Sequence, residues 1–244
     1  MALLHIENLT KSFGGLKAVS AFDQEIQQGE IIGLIGPNGA GKSTLFSLIN
    51  GFHRADEGRI VFDGEDITNQ GPHEICRRGI ARSFQVVRPF SDMTVLDNVV
   101  VGTFGKCDER QEARRRALRV LEFMGLDNKR NRLAKSLTIV DKKRLEMARA
   151  LGTEPKLLLL DEVMAGLNPR ETEETIGLVR EIRKTGVTLF IIEHIMRVIM
   201  TLSDRISILH HGQKIAEGVP QEVVKNEKVI KAYLGEGYVY SRAE

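Results

Sequence analysis

Three uniformly apolar runs punctuate the chain: IIGLIG at 31–36, KLLLLD at 156–161 and TLFIIE at 188–193. None alternates with polar residues, so each reads as a strand buried on both faces, as in a parallel sheet covered by helices. KSTLFSLING (42–51), RETEETIGLVREIRK (170–184) and HIMRVIMTLS (194–203) read as the intervening helices. The middle one has a marked start: Asn168 as cap, Pro169 in the first turn and Glu171 at the capping-box position. Two regions break the α/β alternation. Residues 3–28 and 59–68 read as short strands joined by glycine-containing turns such as FDGED, which predicts a small antiparallel sheet. Residues 73–135 carry charged helical patterns and predict a helical lobe with no linker separating it from the rest.

Composition narrows the class. With 244 residues, 42% of them hydrophobic, the chain can build one large core or one domain with an appended lobe. The formal net charge of +2 lacks the basic excess of a nucleic-acid binder. The basic run ARRRALR (113–119) reads as a solvated helix face. Cys76 and Cys107 lie far apart without metal-ligand spacing, as free thiols of a reducing compartment do. No stretch approaches the ~18 consecutive apolar residues of a membrane span. The N-terminal MALLHIENLTKSF lacks the basic-then-apolar form of a signal peptide. The expectation is a cytosolic protein without direct membrane insertion, whose membrane connection would come through a partner.

The chemistry begins at GPNGAGKST, residues 36–44, between a strand and a helix. This fits G-x-x-x-x-G-K-[ST], a phosphate-binding loop. The glycines Gly36, Gly39 and Gly41, with Pro37, Asn38 and Ala40 between them, let backbone N–H groups turn inward. The helix N-terminus at Lys42, Ser43 and Thr44 adds a positive dipole end. Lys42 is expected to reach the β- and γ-phosphates and Ser43 to ligate Mg²⁺. LLLLDE then delivers two acids: Asp161 to the metal, directly or through water, and Glu162 to orient and polarise an attacking water.

With these motifs in place, the chain resembles the ATP-binding cassette family, the motor subunits of membrane transporters, from about His5 to Glu236. Further positions match that family's pattern. Phe13 in LTKSFGG matches the aromatic that stacks on adenine. Gln85 in ARSFQ matches the glutamine that senses Mg²⁺ and water and leads into the helical lobe. AGLNP (165–169) matches the loop that crosses the dimer interface, and His194, ending FIIEH, matches the switch histidine. The resemblance implies an α/β fold: a P-loop NTPase (RecA-like) core with an antiparallel β subdomain and a helical subdomain over about 73–150, within one domain spanning 1–244. It implies ATP and Mg²⁺ as ligands, with Glu162, His194 and Gln85 in catalysis and Ser43, Gln85 and Asp161 at the metal. It also implies transmembrane permease subunits as partners and a place on the inner face of the cell membrane.

The nearer resemblance is to motors of branched-chain amino-acid import, carried by GFHRADEGRIVFDGEDIT, RRGIARSFQVVRPFSDMTVLDNVVVG, AGLNP, FIIEH and the tail IKAYLGEG. A lipopolysaccharide-export motor shares several of these. The segment VVRPFSDMTVLDNVV is expected near a groove for a short permease helix. DNA-repair or translation cassettes would carry a long coiled coil or tandem cassettes, and the chain shows neither.

One motif departs from the family. The helix KKRLEMARAL (142–151) fixes the register of the signature loop, usually L-S-G-G-Q, at LTIVD. Ile139, Val140 and Asp141 stand where the glycines and glutamine would be. β-Branched bulk favours extended backbone and obstructs close approach to a phosphate. Asp141 either brings a carboxylate near a triphosphate, where two unit charges ~4 Å apart repel by roughly 4 kcal/mol at an effective dielectric of 20, or caps the helix and faces away. Val163 replaces the family's usual proline, and Asn168 stands where many relatives have aspartate. The implied assembly is a heterodimer with a second cassette carrying a full signature, rather than a homodimer. The alternative is a nucleotide-gated binding module with weak hydrolysis.

Overall fold

Residues 22–27 alternate buried and exposed positions as a half-buried sheet requires. The computed structural model describes residues 2–84, 87–226 and 228–229. It opens with β1 (Ala2–Phe13) and β2 (Leu16–Gln27), paired antiparallel, with Leu4, Ile6, Phe22 and Ile26 facing inward. β3 (Ile31–Ile35) leads into α1 (Lys42–Ile49). β4 (Glu57–Phe62) and β5 (Glu65–Asp66) complete a four-stranded antiparallel sheet in the order β2–β1–β4–β5. The strands expected over 3–28 and 59–68 are all present, the first two longer than the sequence pattern suggests.

α2 (Pro72–Arg78) is followed by β6 (Ile80–Arg82), and then by α3 (Val95–Thr103), α4 (Arg110–Phe123) and α5 (Ile139–Leu151). β7 (Leu157–Asp161), α6 (Pro169–Lys184), β8 (Thr188–Ile192), α7 (Met196–Leu202), β9 (Arg205–His210), β10 (Gln213–Gly218) and α8 (Pro220–Val223) follow. A six-stranded sheet runs β10–β9–β3–β8–β7–β6, parallel except for the edge strand β10. The helical stretch read over 73–135 is interrupted by β6. Its three residues pair with Leu157–Leu159 and belong to the parallel sheet, a contact too short and too distant in sequence to leave a local pattern.

The buried strands divide their side chains between two cores. Leu157 and Leu159 point to one face, Leu158 and Leu160 to the other. On the first face lies α1, wedged between the parallel sheet and the antiparallel one. Its Leu45, Phe46 and Ile49 share a cluster with Phe22, Ile6, Leu34 and Phe190, and the Phe46 and Phe190 rings stand 5.1 Å apart. On the second face, α3, α5, α6 and α7 contribute Val99, Leu145, Val179 and Ile199. α6 starts as expected: Asn168 accepts from the Glu171 N–H at 2.9 Å, and Glu171 accepts from the Asn168 N–H at 2.9 Å. The basic run lies on α4, where Arg115 and Arg116 pair with Glu112.

This arrangement makes α1 the most confined helix near the site. Phe46→Ala is expected to lower unfolding free energy by about 3–5 kcal/mol, the range for truncating a buried aromatic. Phe13→Ala, at a half-exposed ring, is expected to cost less than about 1 kcal/mol. Chemical denaturation of both variants checks the contrast, and equal losses would contradict it.

Candidate functional site

The C-terminal ends of β3, β8 and β7 lie side by side, and the loops leaving them converge. The loop from β3 into α1 passes very close to neighbouring backbone. A Cβ on Gly36 would stand 2.1 Å from the Leu209 carbonyl oxygen. A Cβ on Gly41, whose φ is 105°, would stand 2.1 Å from the Ala18 carbonyl oxygen. Only glycine fits at either position. Lys42 opens α1 and is only 6% exposed. Its ammonium folds back over the loop, donating to the carbonyls of Gly36 at 2.7 Å and Pro37 at 3.0 Å. Burial holds the Lys42 ammonium below its ordinary pKa, while the Glu162 and Asp161 carboxylates pull it upward. A loop of this shape, ending at a helix N-terminus, is suited to an anion.

Asp161 ends β7. Its Oδ2 accepts from Arg82 Nη2 at 2.6 Å, with both side chains buried. Its Oδ1 is buried without a hydrogen-bond partner among the described residues. Burial pushes the Asp161 carboxyl above the usual carboxylate range, and Arg82 opposes that shift. An orphaned acceptor of this kind fits a cation. Asp161 and Ser43 both line one cleft of about 470 Å³, so the two groups suited to a hard metal ion are brought together. Among the described residues no group of three or more His, Cys, Asp and Glu side chains could hold a metal. The Asp161 carboxylate and Ser43 hydroxyl are hard oxygen donors, the kind that suits Mg²⁺ arriving with phosphate oxygens.

Glu162 follows with φ of 51°, left-handed backbone that a non-glycine residue seldom adopts. Its N–H donates to the Ile192 carbonyl at 2.9 Å. Its Oε1 lies 2.5 Å from His194 Nε2. Glu162, His194, Phe13 and the residues Asn38, Gly39, Ala40, Gly41, Lys42, Ser43 and Thr44 all line one open cleft of about 540 Å³. The half-exposed ring of Phe13 stands at its mouth, edge-on to His53. Gln85 lies outside the described residues. Chemically, the cleft offers a flat aromatic surface, an anion cradle with a lysine, and a carboxylate–imidazole pair beside it.

At LTIVD the structure corrects the reading of Asp141 as the helix cap. Thr138 is the N-cap of α5, accepting from the Asp141 N–H at 3.2 Å. The Asp141 carboxylate accepts from the Thr138 hydroxyl at 2.9 Å and from Lys129 Nζ at 2.6 Å. Thr138, not Asp141, thus caps the helix, and Asp141 lies buried in its first turn, paired with Lys129. The expectation that Ile139 and Val140 favour extended backbone is corrected: they form the first turn of α5, because the Thr138 cap starts the helix there. Ile139 is 55% exposed at that N-terminus. AGLNP forms the exposed turn into α6, with Asn168 as its cap.

Sequence reading missed Arg82 and His211. Arg82 stands within the quoted ARSFQ, but only the pairing of β6 with β7 brings it to Asp161. His211 enters the cleft from the turn after β9, without a local motif.

The chain matches the family described as ABC transporter over residues 19–165. It matches a second family, described as branched-chain amino acid ATP-binding cassette transporter, over residues 213–239. It is 39% identical to the probable branched-chain amino acid transport ATP-binding protein LivG of Archaeoglobus fulgidus, covering 96% of each chain. It is similar to a crystal structure of a nucleotide-free ATP-binding cassette from an ABC transporter, with TM-score 0.88, 35% identity, and coverage of 97% of this chain and 100% of that one. It is also similar to the dimeric post-hydrolysis state of an ATP-binding cassette bound to ADP and Pi, with TM-score 0.80, 26% identity, and coverage of 89% and 98%.

The Arg82–Asp161 pair generates a test. Arg82→Ala leaves a buried carboxylate without its cation and is expected to cost about 3–5 kcal/mol of stability. Adding Asp161→Asn is expected to recover part of that loss in a denaturation double-mutant cycle, whereas strictly additive losses would contradict the pairing.

Proposed function

The chain belongs to the ABC transporter family of ATP-binding proteins, and from that membership we propose that it powers a membrane permease importing branched-chain amino acids. It is an ATPase of the transport-coupled kind. The observation that carries the site assignment is one cleft in which the Lys42 loop, Phe13, Glu162 and His194 face one another. Phe13 stacks on the adenine. Residues 36–44, except Pro37, which has no N–H, hold the phosphates through their N–H groups, and Lys42 exchanges the Gly36 and Pro37 carbonyls for phosphate oxygens. Ser43 and Asp161, with Gln85, are the residues that would hold Mg²⁺, which neutralises phosphate charge when bound. Glu162 orients and polarises the attacking water, and His194, hydrogen-bonded to its carboxylate, fixes the direction of that carboxylate.

The work is done on a partner. A groove of about 240 Å³ between the parallel sheet and the helical lobe carries Phe52, Phe84 and Val101, all substantially exposed. Such an apolar patch suits a short permease helix. The permease places the chain at the inner face of the cell membrane; among the described residues no helix is long and apolar enough to cross one. A lipopolysaccharide-export motor is the second reading of cargo. The match at residues 213–239 and the relative's name favour the amino-acid reading.

The chain works beside a second cassette. With Asp141 paired to Lys129, charge repulsion no longer argues against α5 as a phosphate-facing element. What remains is shape: the exposed Ile139 stands where close backbone approach would need glycine. This supports a heterodimer in which the chain's own phosphate loop sits in the hydrolytic site and its α5 faces a site that mainly holds the dimer together.

Lys42→Ala is expected to weaken Mg·ATP binding at least about tenfold in a fluorescent-nucleotide titration of the full-length chain, since a charge-assisted contact to phosphate is lost. Undiminished binding would overturn the phosphate-loop reading. In the assembled complex, Glu162→Gln is expected to abolish most turnover, and the matching substitution in the partner cassette to spare most of it. Equal losses from the two would overturn the asymmetry.

A further inference from the structure

Two buried ionisable side chains near the cleft have no part in the roles assigned above. Lys143, in the second turn of α5, is 7% exposed, and Glu193, at the end of β8, is 1% exposed. Burying an ammonium and a carboxylate is expensive unless each is bonded. Apolar residues of similar volume often stabilise a core as well or better. What these two groups are bonded to therefore matters.

Both hold the same stretch of backbone. Lys143 Nζ donates to the carbonyls of Ala165 at 2.6 Å, Val163 at 3.1 Å and Glu162 at 3.3 Å. An ammonium has three hydrogens, and these three carbonyls use them all. From the other side, Glu193 Oε1 accepts from the Met164 N–H at 2.8 Å. The turn directly after Glu162 is thus gripped by a cation at its carbonyls and a carboxyl at its N–H. Burial pushes the Glu193 carboxyl up to about 7, while the Met164 and His194 N–H groups and Lys143 pull it back. Burial likewise lowers the Lys143 pKa, opposed by Glu193 and then Glu162.

The gripped turn begins at the strained residue. Left-handed backbone at a non-glycine position costs of order 1–3 kcal/mol and persists only where its surroundings impose it. At Glu162, with φ of 51°, the N–H is held by Ile192 and the carbonyl by Lys143. Glu193 precedes His194, the residue that meets the Glu162 carboxylate. Lys143 also stands on the helix whose N-terminus is capped by Thr138.

We propose that Lys143 and Glu193 are positioning residues for hydrolysis: together they clamp the Glu162–Ala165 turn and so hold the Glu162 carboxylate aimed at the cleft. The assignment rests on Glu162 acting on the water, as proposed above. It also makes α5 and Glu162 mechanically continuous, so that a displacement of α5 would be felt at Glu162 through one side chain. Neither residue lines the cleft of Phe13, Lys42 and His194, so their loss should slow cleavage without weakening binding.

The test uses the assembled complex with Mg·ATP, the matching acid of the partner cassette replaced by glutamine, measuring nucleotide affinity by titration and cleavage of prebound radiolabelled ATP in a single turnover. Lys143→Met is expected to keep affinity within about twofold and to slow cleavage at least about tenfold. Lys143→Arg, which keeps the cation but not the three convergent donors, is expected to regain at least about threefold of the rate lost in Lys143→Met. Glu193→Gln, which retains an acceptor for Met164, is expected to slow cleavage about threefold to tenfold at unchanged affinity. Wild-type rates in Lys143→Met, a parallel fall of affinity and rate, or failure of Lys143→Arg to rescue would each overturn the clamp. If Lys143→Met does not fold, Glu193→Gln decides alone, and an unchanged rate overturns the proposal. A wild-type complex that binds Mg·ATP but never cleaves it would instead overturn the role of Glu162, and the clamp with it.

Discussion

The site depends on how tightly the turn between β3 and α1 is pressed against its neighbours. Gly36 runs against the Leu209 carbonyl and Gly41 against the Ala18 carbonyl, so the loop has no room to rearrange around a side chain. α1, which continues the loop, is itself wedged between two sheets by Leu45, Phe46 and Ile49. A phosphate-binding loop works by presenting fixed N–H groups, and fixed groups need a rigid mount. The two hydrophobic clusters provide the mount; the glycines permit the approach.

Around that mount the chain accumulates polar groups that a stability-optimised core would lack. Lys42, Asp161, Glu162, Lys143 and Glu193 are all buried or nearly so. One Asp161 oxygen has no hydrogen-bond partner among the described residues, and Glu162 adopts left-handed backbone. These features lie along one seam, where the ends of β7 and β8 meet the start of α1 and the second turn of α5. Strain and buried charge concentrate where chemistry requires a particular aim, and the apolar layers on either side carry the stability.

Much of this was legible in the residues. The uniformly apolar runs identified β3, β7 and β8 because strands covered on both faces leave no polar alternation. Asn168, Pro169 and Glu171 marked the start of α6 because capping is a local interaction. GPNGAGKST and LLLLDE were readable because each motif's chemistry is contained in a few consecutive residues. What escaped was non-local. β6 is three residues long, and its partner lies more than seventy positions away. Arg82 meets Asp161 only through that pairing. Asp141 was ambiguous because its neutralising partner, Lys129, belongs to a preceding turn that no periodicity connects to α5. Lys143 is one of several basic residues in KKRLEMARAL, and only the packing of α5 against the turn after β7 brings it to its carbonyl partners.

The central claim is that the loop between β3 and α1 grips a nucleotide whose charge the Asp161–Ser43 pocket completes with a divalent cation. Calorimetric titration of the full-length chain with ATP, in magnesium and then in a chelator, measures this directly. The account predicts binding with magnesium that weakens markedly once the metal is removed. Absence of any binding heat in magnesium, confirmed by lack of retained radiolabelled ATP, would contradict it.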